Sequence, residues 1–221
     1  MISLGVLVSG SGSNLQAIID AIESRQLDAR VGVVISNVAG IKALDRARAA
    51  GLKTQVIEHK LFPDRRAFDS AVVEVLRASG VEVVVLSGFM RVVSDVVLDA
   101  FPWRVVNIHP ALLPAFPGLH SQKQAVDTGV CIAGCTVHFV DGGTDTGPII
   151  AQAAVPVLPG DDEDALRARI LKEEHRLFPR VLQWLAEGRV EIQPGPNQGA
   201  GSRVRVLVRG AQTSFGLRDH E

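Results

Sequence analysis

Short runs rich in valine and isoleucine alternate with stretches of helical spacing through the first half of this chain, and few folds tolerate that rhythm. Strands that read as unbroken apolar runs must be covered on both faces, and a helix between consecutive strands lets them lie parallel. The pattern predicts an α/β fold, a mostly parallel sheet with helices on both faces.

The runs Ile2 to Val8, Val31 to Ile35, Thr54 to Ile57, Val81 to Leu86 and Arg104 to Ile108 read as strands. After the first, Leu15, Ile18, Ile19 and Ile22 fall at helical spacing; Lys42 to Ala50 and Arg66 to Ala78 read as further helices, ended by Gly51 and Gly80. Beyond Pro110 come a proline-punctuated loop, a short helix from Gln122 to Asp127, and two β-like runs, Cys135 to Val140 and Ile149 to Val157. A long helix is expected from about Glu163 to Glu187, with Asp161 or Asp162 as its cap. Its apolar stripe is Leu166, Ile170, Phe178, Val181, Leu182 and Leu185. Residues 1–190 are expected to form one domain and 191–221 a tail, with a Gly/Pro-rich linker from Pro194 to Gly201 and a strand-like Arg203 to Val208.

A formal net charge of -1 argues against a general nucleic-acid binder or a membrane-surface protein, which need a basic excess. Any charged ligand must be met by a local site. Cys131 and Cys135 form no C-x-x-C pair and have apolar, β-like flanks, which points to structural thiols in a reducing compartment. The amino terminus has no basic leader, and no apolar stretch is long enough to span a bilayer. The expected location is cytoplasmic, as a monomer or homodimer.

The turn Ser9-Gly10-Ser11-Gly12-Ser13-Asn14 joins a first strand to a first helix. Small residues there allow close backbone approach to a phosphate, which the helix N-terminus would attract. A dinucleotide fingerprint would need glycine where Leu15 stands, and a Walker loop would need Gly-Lys-Ser/Thr. A mononucleotide or sugar phosphate is favoured over NAD or ATP. Alone, the same residues also suit an ordinary tight turn capped by Ser13 or Asn14.

The strand ending in Asn107-Ile108-His109-Pro110 carries an amide and an imidazole two residues apart, hence on one side. In parallel α/β sheets, ligands bind at the carboxyl ends of strands. Asp145, in Asp141-Gly142-Gly143-Thr144-Asp145, could bring a carboxylate to the histidine and favour its charged form. No G-x-S-x-G elbow supports a hydrolase triad, and His109, His120 and His138 lack metal-ligand spacing. Metal-free acyl or formyl transfer suits these groups.

Together the segments Ser9 to Leu15, Gly88-Phe89-Met90-Arg91, Asn107 to Pro110, Leu112-Leu113-Pro114, Phe116-Pro117-Gly118, His138 to Asp141 and Asp145 to Pro148 closely resemble the glycinamide ribonucleotide formyltransferase family. The resemblance covers roughly residues 2 to 190, with order and spacing as well as residue type. It implies a formyltransferase fold with a Rossmann-like nucleotide-binding half, about 1–100, and a folate-binding and catalytic half, about 101–190. It also implies 10-formyltetrahydrofolate as co-substrate, glycinamide ribonucleotide as acceptor, no metal, and a place in de novo purine biosynthesis.

By the same resemblance, Gly12, Ser13 and Asn14 hold the ribonucleotide phosphate and Glu174 contacts the glycinamide. Met90, Arg91, Val92 and Val93 line the pterin pocket; Asp141, Gly142, Gly143, Thr144 and Asp145 close on the pterin ring; Arg65 lies near the folate. Asn107, His109 and Asp145 match the catalytic trio, with Asn107 also touching folate. His109 and Asn107 would stabilise an oxyanion, while Asp145 raises the histidine pKa and relays protons. The competing readings are a formyltetrahydrofolate hydrolase and a non-catalytic folate or nucleotide-binding module.

Overall fold

The computed structural model describes residues 1–194 and 204–216. The chain divides into two compact units, Met1–Asn107 and Ile108–Glu221.

The first unit has five strands: β1 (Ile2–Val8), β2 (Ala29–Ser36), β3 (Thr54–Val56), β4 (Val83–Leu86) and β5 (Val105–His109), whose last two residues enter the second unit. They pair in the order β3-β2-β1-β4-β5, every pair parallel. Six successive residues of β1 and all four of β4 are buried. Both alternating side-chain rows therefore pack, as the unbroken apolar runs require. The crossovers are α1 (Ser13–Glu23), α2 (Lys42–Ala49), α3 (Arg65–Ala78) and the short α4 (Asp95–Ala100), with a 3-10 turn at His59–Leu61. Leu15, Ile18 and Ile19 of α1 and Phe68, Val72, Val73 and Leu76 of α3 are the buried faces of two of these helices.

In the second unit, α5 (Ser121–Thr128) leads to β6 (Ile132–Phe139), which pairs antiparallel with β7 (Ile149–Pro156). The helix α6 (Glu163–Ala186) starts at Asp162, whose carboxylate accepts the Ala165 N–H at 2.8 Å. Asp161, the other candidate cap, instead accepts from Leu158 N–H at 2.7 Å and pairs with Arg169. All six expected stripe residues of α6 are buried, and Pro179 lies within the helix without ending it.

Several elements went unread in the sequence: α4, the 3-10 turn, a strand β8 (Val190–Gln193) and a strand β10 (Ser214–Gly216). β8 pairs antiparallel with β9 (Arg205–Val208), and β10 pairs parallel with β7. The expected linker, apart from Pro194, and Arg203 at the start of the expected strand lie outside the described residues. Among the described residues, no helix is long and apolar enough to cross a membrane.

Candidate active site

In the first unit, the glycine-rich turn is held from below by α2. The Ala43 N–H donates to the Gly10 carbonyl at 3.2 Å and the Arg46 Nε to the Ser11 carbonyl at 3.0 Å. Gly12, not Ser13 or Asn14, is the residue that opens α1: its φ is 71°, and no side chain caps the helix. The left-handed conformation favours glycine, and so does the packing, because a Cβ on Gly12 would sit 2.6 Å from the Ala43 Cβ and 2.7 Å from its Cα. No acidic residue occupies the first turn of α1. The turn thus brings the positive end of a helix to the surface without a carboxylate to neutralise it.

The segment Met90–Val93 follows β4. Met90 and Val92 are exposed, Val93 is buried, and the Arg91 guanidinium lies 5.2 Å over the Phe68 ring. Arg65 is the exposed first residue of α3. Its neighbour Arg66 is the one paired, with Asp95.

In the second unit, the end of β5 carries His109, which is buried at 5% exposed, two residues after the half-buried Asn107. The His109 Nδ1 is 3.3 Å from Asp145 Oδ2, and its Nε2 is 2.9 Å from the Phe116 carbonyl oxygen. Burial pushes the His109 pKa below its ordinary value; the Phe116 carbonyl and the Asp145 carboxylate oppose that shift without outweighing it, and the charge of His138 reinforces it. Asp145 does act to raise the histidine pKa, as the sequence expectation has it, but burial is the larger effect and the net shift is downward.

For Asp145, burial acts to raise the pKa, yet a hydrogen bond with His138, the Gly118 N–H at 2.8 Å, and the charges of His109 and His138 together hold it below the ordinary carboxylate value. Asp145 is therefore ionised, and it sits at φ 54°, a conformation that aspartate adopts more readily than most residues. The turn before it is braced by Asp141, whose carboxylate accepts from the Gly143 N–H at 3.0 Å and the Thr146 hydroxyl at 2.7 Å.

The structure thus brings His109 and Asp145 together and adds residues that the sequence left out. His138 Nε2 lies 3.6 Å from the other Asp145 oxygen, with Nδ1 2.8 Å from the Phe139 carbonyl. Thr136, on the same face of β6, donates to the Ala111 carbonyl at 2.7 Å and accepts from the Leu113 N–H at 3.0 Å, and so tethers the loop that follows His109. Two polar residues at alternate positions of an apolar strand, Thr136 and His138, were the available signal.

Glu174 is buried on α6, and its negative charge adds to burial in pushing the Cys135 thiol well above its usual range. Cys131 is exposed and both cysteines are free.

A formyl transferase family model matches residues 3–182. The phosphoribosylglycinamide formyltransferase of Escherichia coli is 43% identical over 90% of this chain and 94% of its own length. The trifunctional purine biosynthetic protein adenosine-3 of Drosophila pseudoobscura is 52% identical over 84% of this chain, which spans only 14% of that longer protein. Among solved structures, glycinamide ribonucleotide transformylase 1 from Symbiobacterium toebii superposes with a TM-score of 0.87 at 53% identity, covering 94% of each chain. With a family match over most of its length and a relative matched nearly end to end, this chain belongs to the formyl transferase family.

Proposed function

We propose that this chain transfers the formyl group of 10-formyltetrahydrofolate to the amine of glycinamide ribonucleotide, a step of purine biosynthesis. The observation that carries the reading is the buried His109 beside an ionised Asp145, in a chain whose end-to-end relative is named for this transfer. The roles given to Gly12, Ser13, Asn14 and Glu174 at the ribonucleotide, and to Arg65, Met90–Val93 and Asp141–Asp145 at the folate, belong to the same proposal. So do the division into nucleotide-binding and folate-binding halves and the small-molecule character of the partners.

The depressed His109 pKa reshapes the chemistry. His109 enters the reaction neutral. The amine attacks the formyl carbon, forming a C–N bond and placing negative charge on the formyl oxygen. His109 takes the proton that the attacking nitrogen gives up; the resulting imidazolium faces the Asp145 carboxylate and, with the Asn107 amide, stabilises the oxyanion. The C–N10 bond then breaks, and the proton passes to N10 of the departing tetrahydrofolate. One proton moves from amine to folate overall, and every charge in the scheme has a protein partner.

The test follows absorbance during turnover of 10-formyltetrahydrofolate by the purified protein, with and without glycinamide ribonucleotide. Ribonucleotide-dependent folate release is the expected result. Release without the ribonucleotide would point to a hydrolase, and no release to a binding module.

A further inference from the structure

Ser9 is the last residue before the glycine pair of the turn, and its hydroxyl is committed twice. It donates to the Asn37 Oδ1 at 2.6 Å and accepts the backbone N–H of Met90 at 2.9 Å. The single hydroxyl proton goes to Asn37, so the oxygen lone pairs remain for Met90. Asn37 cannot swing away easily: it is buried, and its Nδ2 lies 3.3 Å from His59 Nδ1.

The far end of the same segment is held in the same manner. The Ser94 N–H donates to the buried carboxylate of Asp69 at 2.6 Å, on the helix α3 that also presents Phe68 to Arg91. Between these two fixed backbone groups, Met90 and Val92 are exposed and contribute little packing of their own. The hydrogen bonds, rather than apolar contacts, therefore set where the front of the segment lies.

We propose that Ser9 is a positioning residue for the folate substrate: a side chain of the glycine-rich turn sets, through the Met90 N–H, the placement of Met90–Val93. The inference rests on the transferase reading, in which Met90–Val93 receives the pterin and the turn receives the phosphate. Its consequence is specific. Removing one hydroxyl from the turn weakens the folate while sparing the ribonucleotide, the reverse of what a phosphate ligand would do.

The experiment compares wild type, Ser9→Ala and Ser9→Thr by calorimetric titration with tetrahydrofolate, which carries no formyl group, and by steady-state kinetics with both substrates varied. Ser9→Ala is expected to raise the tetrahydrofolate Kd and the KM for 10-formyltetrahydrofolate by about three- to tenfold, the effect of one hydrogen bond. The KM for the ribonucleotide should move less than about twofold, and Ser9→Thr, which keeps the hydroxyl, should return the folate values towards wild type. An unchanged folate Kd in Ser9→Ala, or a shift confined to the ribonucleotide KM, overturns the proposal while wild-type turnover still upholds the transferase. A wild type that neither binds tetrahydrofolate nor turns over overturns both.

Discussion

His109 and Asp145 face each other at 3.3 Å, Nδ1 to Oδ2, from the end of a strand and from a turn 36 positions later in the sequence. The other ring nitrogen of His109 meets the Phe116 carbonyl at 2.9 Å, so both nitrogens look onto acceptors. A neutral ring can donate to only one of them, whereas an imidazolium donates to both. His109 is therefore a histidine that burial disposes to be neutral, yet whose charged form already has both of its partners in place.

Replacing His109 with alanine should lower kcat by at least ~10²-fold, the usual cost of losing a general base, with a smaller effect on either KM. Steady-state kinetics with both substrates varied measures it. A kcat within a few-fold of wild type would show that His109 does not act on the reacting atoms.

The His109 shift also makes stability pH-dependent. Its native pKa lies below its ordinary value of 6.5, so between the two the unfolded chain holds the proton more readily than the folded one. Stability from this group is fully present above 6.5 and declines as the pH falls from there towards the native pKa. Denaturant unfolding across that range should show wild type losing more stability on acidification than His109→Gln, which has no ring to protonate. Parallel losses in the two proteins would contradict the burial effect.

Gly12→Ala should strike the ribonucleotide alone. Alanine is disfavoured at φ 71°, and its Cβ would meet Ala43 at 2.6 Å, so the turn must shift away from α2. A ribonucleotide KM raised by about tenfold or more is expected, with the folate KM close to wild type. Equal rises in both would mean that the substitution disturbs the unit as a whole.

The strands and long helices were legible because their apolar residues repeat with the period of the element. The first strand has the bounds read from the sequence, Ile2–Val8, and the six residues of the α6 stripe are all buried, although Leu177 and Trp184 share that buried face and were not read. His109 and Asp145 were legible as chemistry on a strand end and in a turn. The sign of the His109 pKa was not, because it depends on how closely the surrounding chain shuts out water, and no local pattern records that. Nor was Ser9, whose partners Asn37 and Met90 lie 28 and 81 positions away. The short strand β10 escaped for a related reason: three residues carry no periodicity, and its pairing with β7 comes from the rest of the unit.

His138 offers a test of the Asp145 environment. It helps hold that carboxyl below its ordinary value, and it is buried beside the oxygen that His109 does not face. His138→Ala should leave Asp145 less firmly placed and reduce kcat by ~10-fold, the scale of one hydrogen bond to a charged group. Ribonucleotide KM, which on the proposed reading depends on the glycine-rich turn, should stay near wild type. A ribonucleotide effect larger than the kcat effect would assign His138 elsewhere.

The carboxyl-terminal strand β10 lies beyond the residues that the family model matches, and its anchoring can be tested without touching the chemistry. Phe215 stacks on Trp184 of α6 with ring centroids 6.2 Å apart, and the Arg180 guanidinium lies 4.6 Å over the Phe215 ring. The strand continues a backbone connection in which the Gln152 N–H donates to the Thr213 carbonyl at 3.0 Å. Gln152 in turn donates through its side chain to the Leu113 carbonyl and the Thr136 hydroxyl, both at 2.9 Å. The tail thus reaches the loop after His109 through one residue. Phe215→Ala removes an aromatic pair and a cation contact worth about 1 kcal/mol together. For a chain of this size the expected fall in Tm is roughly 2–4 °C. If the strand only fastens the edge of β7, kcat should remain within about twofold of wild type, since Gln152 keeps both side-chain bonds. Thermal melts and kinetics on the same preparation separate the cases: a lower Tm with intact kcat marks β10 as an edge clasp, and a fall in kcat without loss of Tm marks it as a support for the loop that carries Phe116.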